Sequence, residues 1–240
     1  MTTYIENKNF DMKHDRGMHG PLCDFHFRDC RFDNCSLFGD PITGKRTLVR
    51  NVILERCCQR NCGIHEAILE DVVVDGLKSE GDGWFVFGAV FKHVVLRGKI
   101  DQLVLNAELS PVVSMMHEET EDVLAMETAL RDANRKYYED VDWTLDISEA
   151  ELLELDLRGQ PVHLIRRDPE TQVLITRQSA LRGDWKELPY EDDSTPFLMS
   201  LFLQREDPAR ILIAPKRSRK FKKILADINM LRREGIAEPD

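Results

Sequence analysis

Four nine-residue segments follow one pattern: FRDCRFDNC from Phe27, VRNVILERC from Val49, LEDVVVDGL from Leu69 and FKHVVLRGK from Phe91. Their starts lie 22, 20 and 22 residues apart. The first position holds Phe27, Val49, Leu69 and Phe91, and the third holds the polar residues Asp29, Asn51, Asp71 and His93. The fourth holds Cys30, Val52, Val72 and Val94, and the sixth holds Phe32, Leu54, Val74 and Leu96. Apolar side chains at i and i+2 share one face of a strand, so each unit reads as β rather than α. A repeat near twenty residues predicts stacked units, each burying its apolar face on the next.

A finer beat of five is also present: Cys57, Cys62, Ala67 and Val72, then Trp84, Ala89 and Val94. Four sides of about five residues make one coil. This resembles the pentapeptide-repeat proteins over residues 22–109. Small and large positions match (Cys30 with Phe32, Cys35 with Leu37, Ala67 with Leu69, Ala89 with Phe91). The middle positions Arg31, Ser36, Ile68 and Val90 depart from that family's Asn or Asp, which leaves an irregular β-helix outside the family open. The resemblance implies a right-handed parallel β-helix of about four coils, with Cys30 beneath Val52 and Cys35 beneath Cys57.

The expected layout is an N-terminal cap over 1–22, the β-helix over 23–110, a capping helix or linker over 111–140 and a small α+β domain over 141–240. Met116, Val123, Leu124, Met126, Leu130, Ala133 and Tyr137 mark one face of a helix over about 112–137. Beyond it, SEAELLELD reads as a helix capped by Ser148, and VHLIRRDPETQVLITR as a hairpin turning at Asp168 to Glu170. TPFLMSLFLQ reads as a helix, ARILIAP as a strand, and the segment from Lys216 as a terminal helix ending at Gly235.

A net charge of −10 argues against general nucleic-acid or membrane-surface affinity and leaves a local basic contact open. Residues 118–156 carry 14 acidic and 3 basic side chains, whereas 205–233 carry 10 basic and 3 acidic. Lys216, Arg217, Arg219, Lys220, Lys222 and Lys223, at the start of the terminal helix, are the candidate contacts for an anion or a partner. Asp29, Asn51, Asp71 and His93 form a candidate surface ladder. All six cysteines fall between Cys23 and Cys62, and the N-terminus has no apolar core of a signal peptide. Reduced thiols packed as small apolar residues in a cytoplasm are therefore expected. Cys57, Cys58, Cys62 and His65 have zinc-like spacing, but the repeat points Cys57 and Cys62 inward and the other two outward, so no metal or cofactor is expected.

Neither a phosphate-binding Gly loop nor a nucleophile elbow occurs. These readings favour a non-enzymatic interaction or adaptor protein whose partner is another protein, with room for a homodimer. Anion or nucleic-acid binding through the basic helix is the alternative, and an enzyme with an interdomain cleft is the third.

Overall fold

The structure, a computed structural model, describes residues 1–15, 20–40, 43–116, 120–205 and 207–238. Its first half is built in tiers. The first tier holds β1 (Thr3–Glu6), β2 (Asn9–Asp11) and β3 (His14–Asp15), and the second holds β4 (Leu22–Arg28), β5 (Arg31–Asp33) and β6 (Ser36–Phe38). β7 (Thr47–Arg60) and β8 (Gly63–His65) make the third, and β9 (Ala67–Ser79) and β10 (Trp84–Phe87) the fourth. β11 (Val90–Lys92) and β12 (Val94–Asn106) make the fifth. After two helices, α1 (Pro111–Met116) and α2 (Thr120–Tyr138), the chain returns as β13 (Leu145–Asp146) and β14 (Ala150–Arg158) beside β12.

The five-residue beat has a backbone cause. Asp24, Asp29 and Asn34, and then Asn51, Arg56, Asn61, Glu66 and Asp71, all have positive φ and lie five apart. Each is a left-handed corner that turns the strand, a conformation that Asn and Asp tolerate better than other side-chain-bearing residues. Between corners, alternate residues point inward. Val52, Cys57, Ala67, Leu69, Val72, Val74, Val94 and Leu96 are all buried in one continuous core.

These strands do not make the closed four-coil β-helix of pentapeptide-repeat type that the repeat suggested. β1 to β14 form a single fourteen-stranded sheet, its strand pairings parallel, left open and curled as a half-barrel. Its longest path runs through nine strands, β1-β4-β7-β9-β12-β10-β8-β6-β3, and turns back on itself at the bent strand β12. Two physical causes separate the expectation from the fold. The turn closed by the Asp40–Lys45 bridge lengthens the step between the second and third tiers, so Phe25, not Cys30, pairs with Val52. Cys30 lies instead beside Cys57, where its carbonyl accepts from the Cys58 N–H at 2.9 Å, and Cys35 lies beside Cys62. Because the core repeats every five residues, a slip of five preserves its chemistry and only the turn decides the register. The second cause is that the sheet continues past residue 110: Leu152, Leu155 and Leu157 of β14 join its core across from β12.

Residues 3–15, expected as a cap, pair as strands along the sheet's outer edge. The expected single helix is two, and the side chain of Met116 lies outside the described residues. Val123, Met126 and Leu130 pack on Leu109 and Val113, while Leu124 faces solvent. SEAELLELD is strand rather than helix, because pairing with β12 buries Ala150, Leu152, Leu155 and Leu157 and overrides the helical propensity of Glu and Leu. The expected hairpin is also absent. Val162–Leu164 is a 3-10 turn, and β15 (Gln172–Thr176) pairs antiparallel with the distant β16 (Ala209–Ile213).

This two-stranded ribbon joins the halves of the molecule. Leu174 and Ile211 on one face enter the core of the curled sheet. Val173, Ile175 and Leu212 on the other pack under α3 (Arg177–Arg182), α4 (Ser194–Gln204) and α5 (Phe221–Arg233), with Met199, Phe202, Ile228 and Leu231 fully buried. Among the described residues no helix is long and apolar enough to cross a membrane.

Candidate functional site

The surface ladder is present in part and shifted. Asp24, Asn51, Asp71 and His93 stand in one corner column, the Asn51 amide donating to the Asp24 carboxylate. Asp29 belongs to the next column, where Arg56 binds it at 2.7 and 2.9 Å. At the end of the first column His93 lies 3.4 Å from Asp71 and 2.7 Å from Asp142, and packs on the Trp143 ring. Hydrogen bonding to His93 holds the Asp142 carboxyl below its ordinary range. Beside these columns the Glu55 carboxylate meets Arg28, His26 and Arg56, and the Arg28 hydrogen bond leads the effects that bring it down to about 2. These are solvated corner pairs that tie tiers together.

The basic stretch is divided. Lys216 pairs with Asp168 at 2.9 Å and Lys220 with Asp192 at 2.9 Å. Arg217 reaches across to the sheet, donating to Asp101 at 3.0 Å and to the carbonyls of Ile100 and Glu151 at 2.8 and 3.1 Å. Arg219, Lys222 and Lys223 are exposed. The terminal helix begins at Phe221 rather than after Pro215, so residues 216–220 are turns, and of their cations Arg217 ties the C-terminal unit to the sheet.

Under α2 lies a polar cluster with no signal in the sequence repeat. Glu66 occupies a corner against Gly39 and Gly88; a Cβ on Gly39 would stand 2.3 Å from the Glu66 carbonyl, so the close approach needs glycine. Its Oε1 accepts from the Ser110 N–H at 3.0 Å, and its Oε2 has no partner among the described residues. Burial pushes the carboxyl up to about 7. Arg46, half-buried nearby, donates to Asn134 at 2.6 Å, and burial lowers its pKa. His65 is stacked between Phe38 and Phe87, its Nδ1 2.8 Å from Ser110 Oγ, and burial brings it down to about 4. A small cavity of about 70 Å³ separates Glu66 and Arg46 from Met126, Leu130 and Ala133. Ser110 beside His65 superficially resembles a nucleophile and its base, but Ser110 is completely buried. The cluster seats the helix on the sheet.

The cysteines do not converge. Cys57 donates to backbone carbonyls inside the core, Cys58 lies beside Arg31, and His65 faces Ser110. Among the described residues no group of His, Cys, Asp and Glu is arranged to hold a metal ion.

The remaining feature is the free edge of the sheet. Among the described residues β1 and β3 end the strand path and β2 pairs only with β5, so this tier has a strand neighbour on one side only. Tyr4 and Met12 are exposed there at 68% and 62%. Just inside this edge an apolar shaft of about 290 Å³ enters the concave face, from Phe10 and Lys13 down to Trp84. No protein-family model matches the chain, and no curated protein sequence matches it.

Proposed function

We propose that this chain is a non-enzymatic protein-interaction module, that its docking surface is the uncovered edge formed by β1, β2 and β3, and that its partner there is a second copy of the chain. The observation that carries the reading is the asymmetry of the sheet. Beyond β12 lie β13, β14 and then the β15–β16 ribbon, whereas among the described residues no strand pairs with the outer side of β1, β2 or β3. Such an edge is a template for strand addition unless something covers it. Its charges are mixed, Glu6, Asp11 and Asp15 with Lys8 and Lys13, so two edges related by a two-fold axis can set opposite signs against each other. Three of the six cations in the basic stretch already serve intramolecular pairs, which favours the edge over that stretch. Six free cysteines accord with a reducing compartment such as the cytoplasm.

Sedimentation equilibrium over a protein concentration series tests the reading. The expected result is a dimer for the wild type and a monomer of unchanged circular dichroism for Tyr4→Lys/Met12→Lys, both positions being exposed. A wild type that stays monomeric at hundred-micromolar concentration would refute it.

A further inference from the structure

The apolar shaft has its origin in the sequence. The fifth tier fills its interior with Leu96, Ile100, Leu103 and Leu105, all essentially without exposed surface. At the places of Ile100 and Leu103 the third tier carries the smaller Cys57 and Cys62. The smaller residues leave space and the leucines close it below. The void runs from the first tier to the fourth, three steps of about 4.8 Å, so it is roughly 14 Å deep. Phe10, Phe27 and Phe32 form a collar at its upper end, with ring centroids 5.1 to 5.9 Å apart.

Polar groups are few and placed at the ends. Gln59 lines the shaft, but its amide is already bonded to Ser79 Oγ, the Asp82 carbonyl and the Cys62 N–H. At the outer end stand Lys13, exposed, and Ser36. An apolar cavity with a few polar groups at one end is the usual form of a small-molecule site. A void of about 150 Å³ accepts benzene, so about 290 Å³ accommodates roughly a dozen carbons.

We propose that the shaft binds one medium-chain carboxylate of about eight to twelve carbons, its acyl chain between the Phe10 collar and Trp84 and its head group at Lys13 and Ser36. A narrow shaft suits a linear chain, and the Lys13 cation at the rim suits an anionic head.

Titration calorimetry with hexanoate, octanoate, decanoate and dodecanoate, and with decanol, tests this. Affinity rises about three- to fourfold per methylene until the shaft is full. Lys13→Glu, a surface change, weakens decanoate about tenfold and leaves decanol unchanged. Val52→Phe, which fills the shaft from its middle, weakens both while the thermal unfolding transition is retained. Absence of binding at millimolar ligand, affinity independent of chain length, or equal loss of decanoate and decanol in Lys13→Glu would overturn the assignment. The same titrations on Tyr4→Lys/Met12→Lys, the variant expected to be monomeric, read binding apart from association of the edge, to which Lys13 also belongs.

Discussion

Asp71 shows how much of this protein is decided by single backbone corners. Its φ of 53° lies in the left-handed region, and its side chain is exposed. Asp71→Gly should leave stability within about 0.5 kcal/mol of wild type in urea denaturation. Asp71→Val should lose about 1–2 kcal/mol, because a β-branched residue is strained at that φ. Equal stability of the two variants would mean that the corner is not left-handed. Glu66 is the other residue at which a local choice has a large consequence. Its carboxyl titrates near 7 in the fold against an ordinary 4.5, so the fold favours the protonated form. The stability this contributes is complete below about pH 4.5 and is lost as pH rises through 7. Glu66→Gln should therefore stabilise the protein above pH 7 by about 1–3 kcal/mol and give no gain near pH 4.5. His65 has the opposite sign. Lowered to about 4 from 6.5, it contributes stability above pH 6.5 that is lost as pH falls towards 4. The wild-type pH profile of unfolding free energy should reflect both, and Glu66→Gln should isolate the His65 limb.

At the scale of elements, long strands are cut into sides by corners, and helices are held by buried carboxylates. Asp227 on α5 is almost wholly buried and accepts three bonds, from the Glu191 N–H at 2.7 Å, the Asp192 N–H at 3.2 Å and the Thr195 hydroxyl at 2.9 Å. It thereby fixes the turn that leads into α4. Asp227→Ala leaves those donors without their acceptor and should cost about 2–4 kcal/mol by chemical denaturation. A loss under 0.5 kcal/mol would show that water replaces the carboxylate there. α4 and α5 were readable from the sequence because Pro196 in the first turn and Gly235 after the last, with apolar residues at helical spacing, are local signals. β14 was not, since its nine residues carry good helix formers and become a strand only through β12. Arg217 read in the sequence as a candidate contact for an anion or a partner, and only the fold brings Asp101 and two carbonyls within its reach.

For the molecule as a whole, the β15–β16 ribbon matters most. Its two faces belong to two cores, Leu174 and Ile211 to the sheet and Val173, Ile175 and Leu212 to the helices. Loss of either core exposes one face of the ribbon, so a single cooperative calorimetric transition is expected for the intact chain. Two well-separated transitions would show that the halves fold independently. The same arrangement leaves β1 to β3 as the boundary of the sheet, paired on one side among the described residues, on which the proposed self-association rests.

The sequence alone determined the β character of the first hundred residues and the inward positions of Val52, Val72 and Val94, because side-chain alternation and the five-residue beat are local properties. It also placed the three vertically matched segments from Val49, Leu69 and Phe91 in register. Tertiary structure decided the rest. The first segment could slide by five residues at no cost in core chemistry, and the turn at Asp40–Lys45 chose among the registers. Whether the sheet closes or stays open depends on which strand meets which across more than fifty residues, as when β14 returns to β12, and no local pattern encodes that meeting. The buried carboxylates of Glu66 and Asp227 were hidden for the same reason: their surroundings come from distant parts of the chain, and burial is a property of the assembled fold.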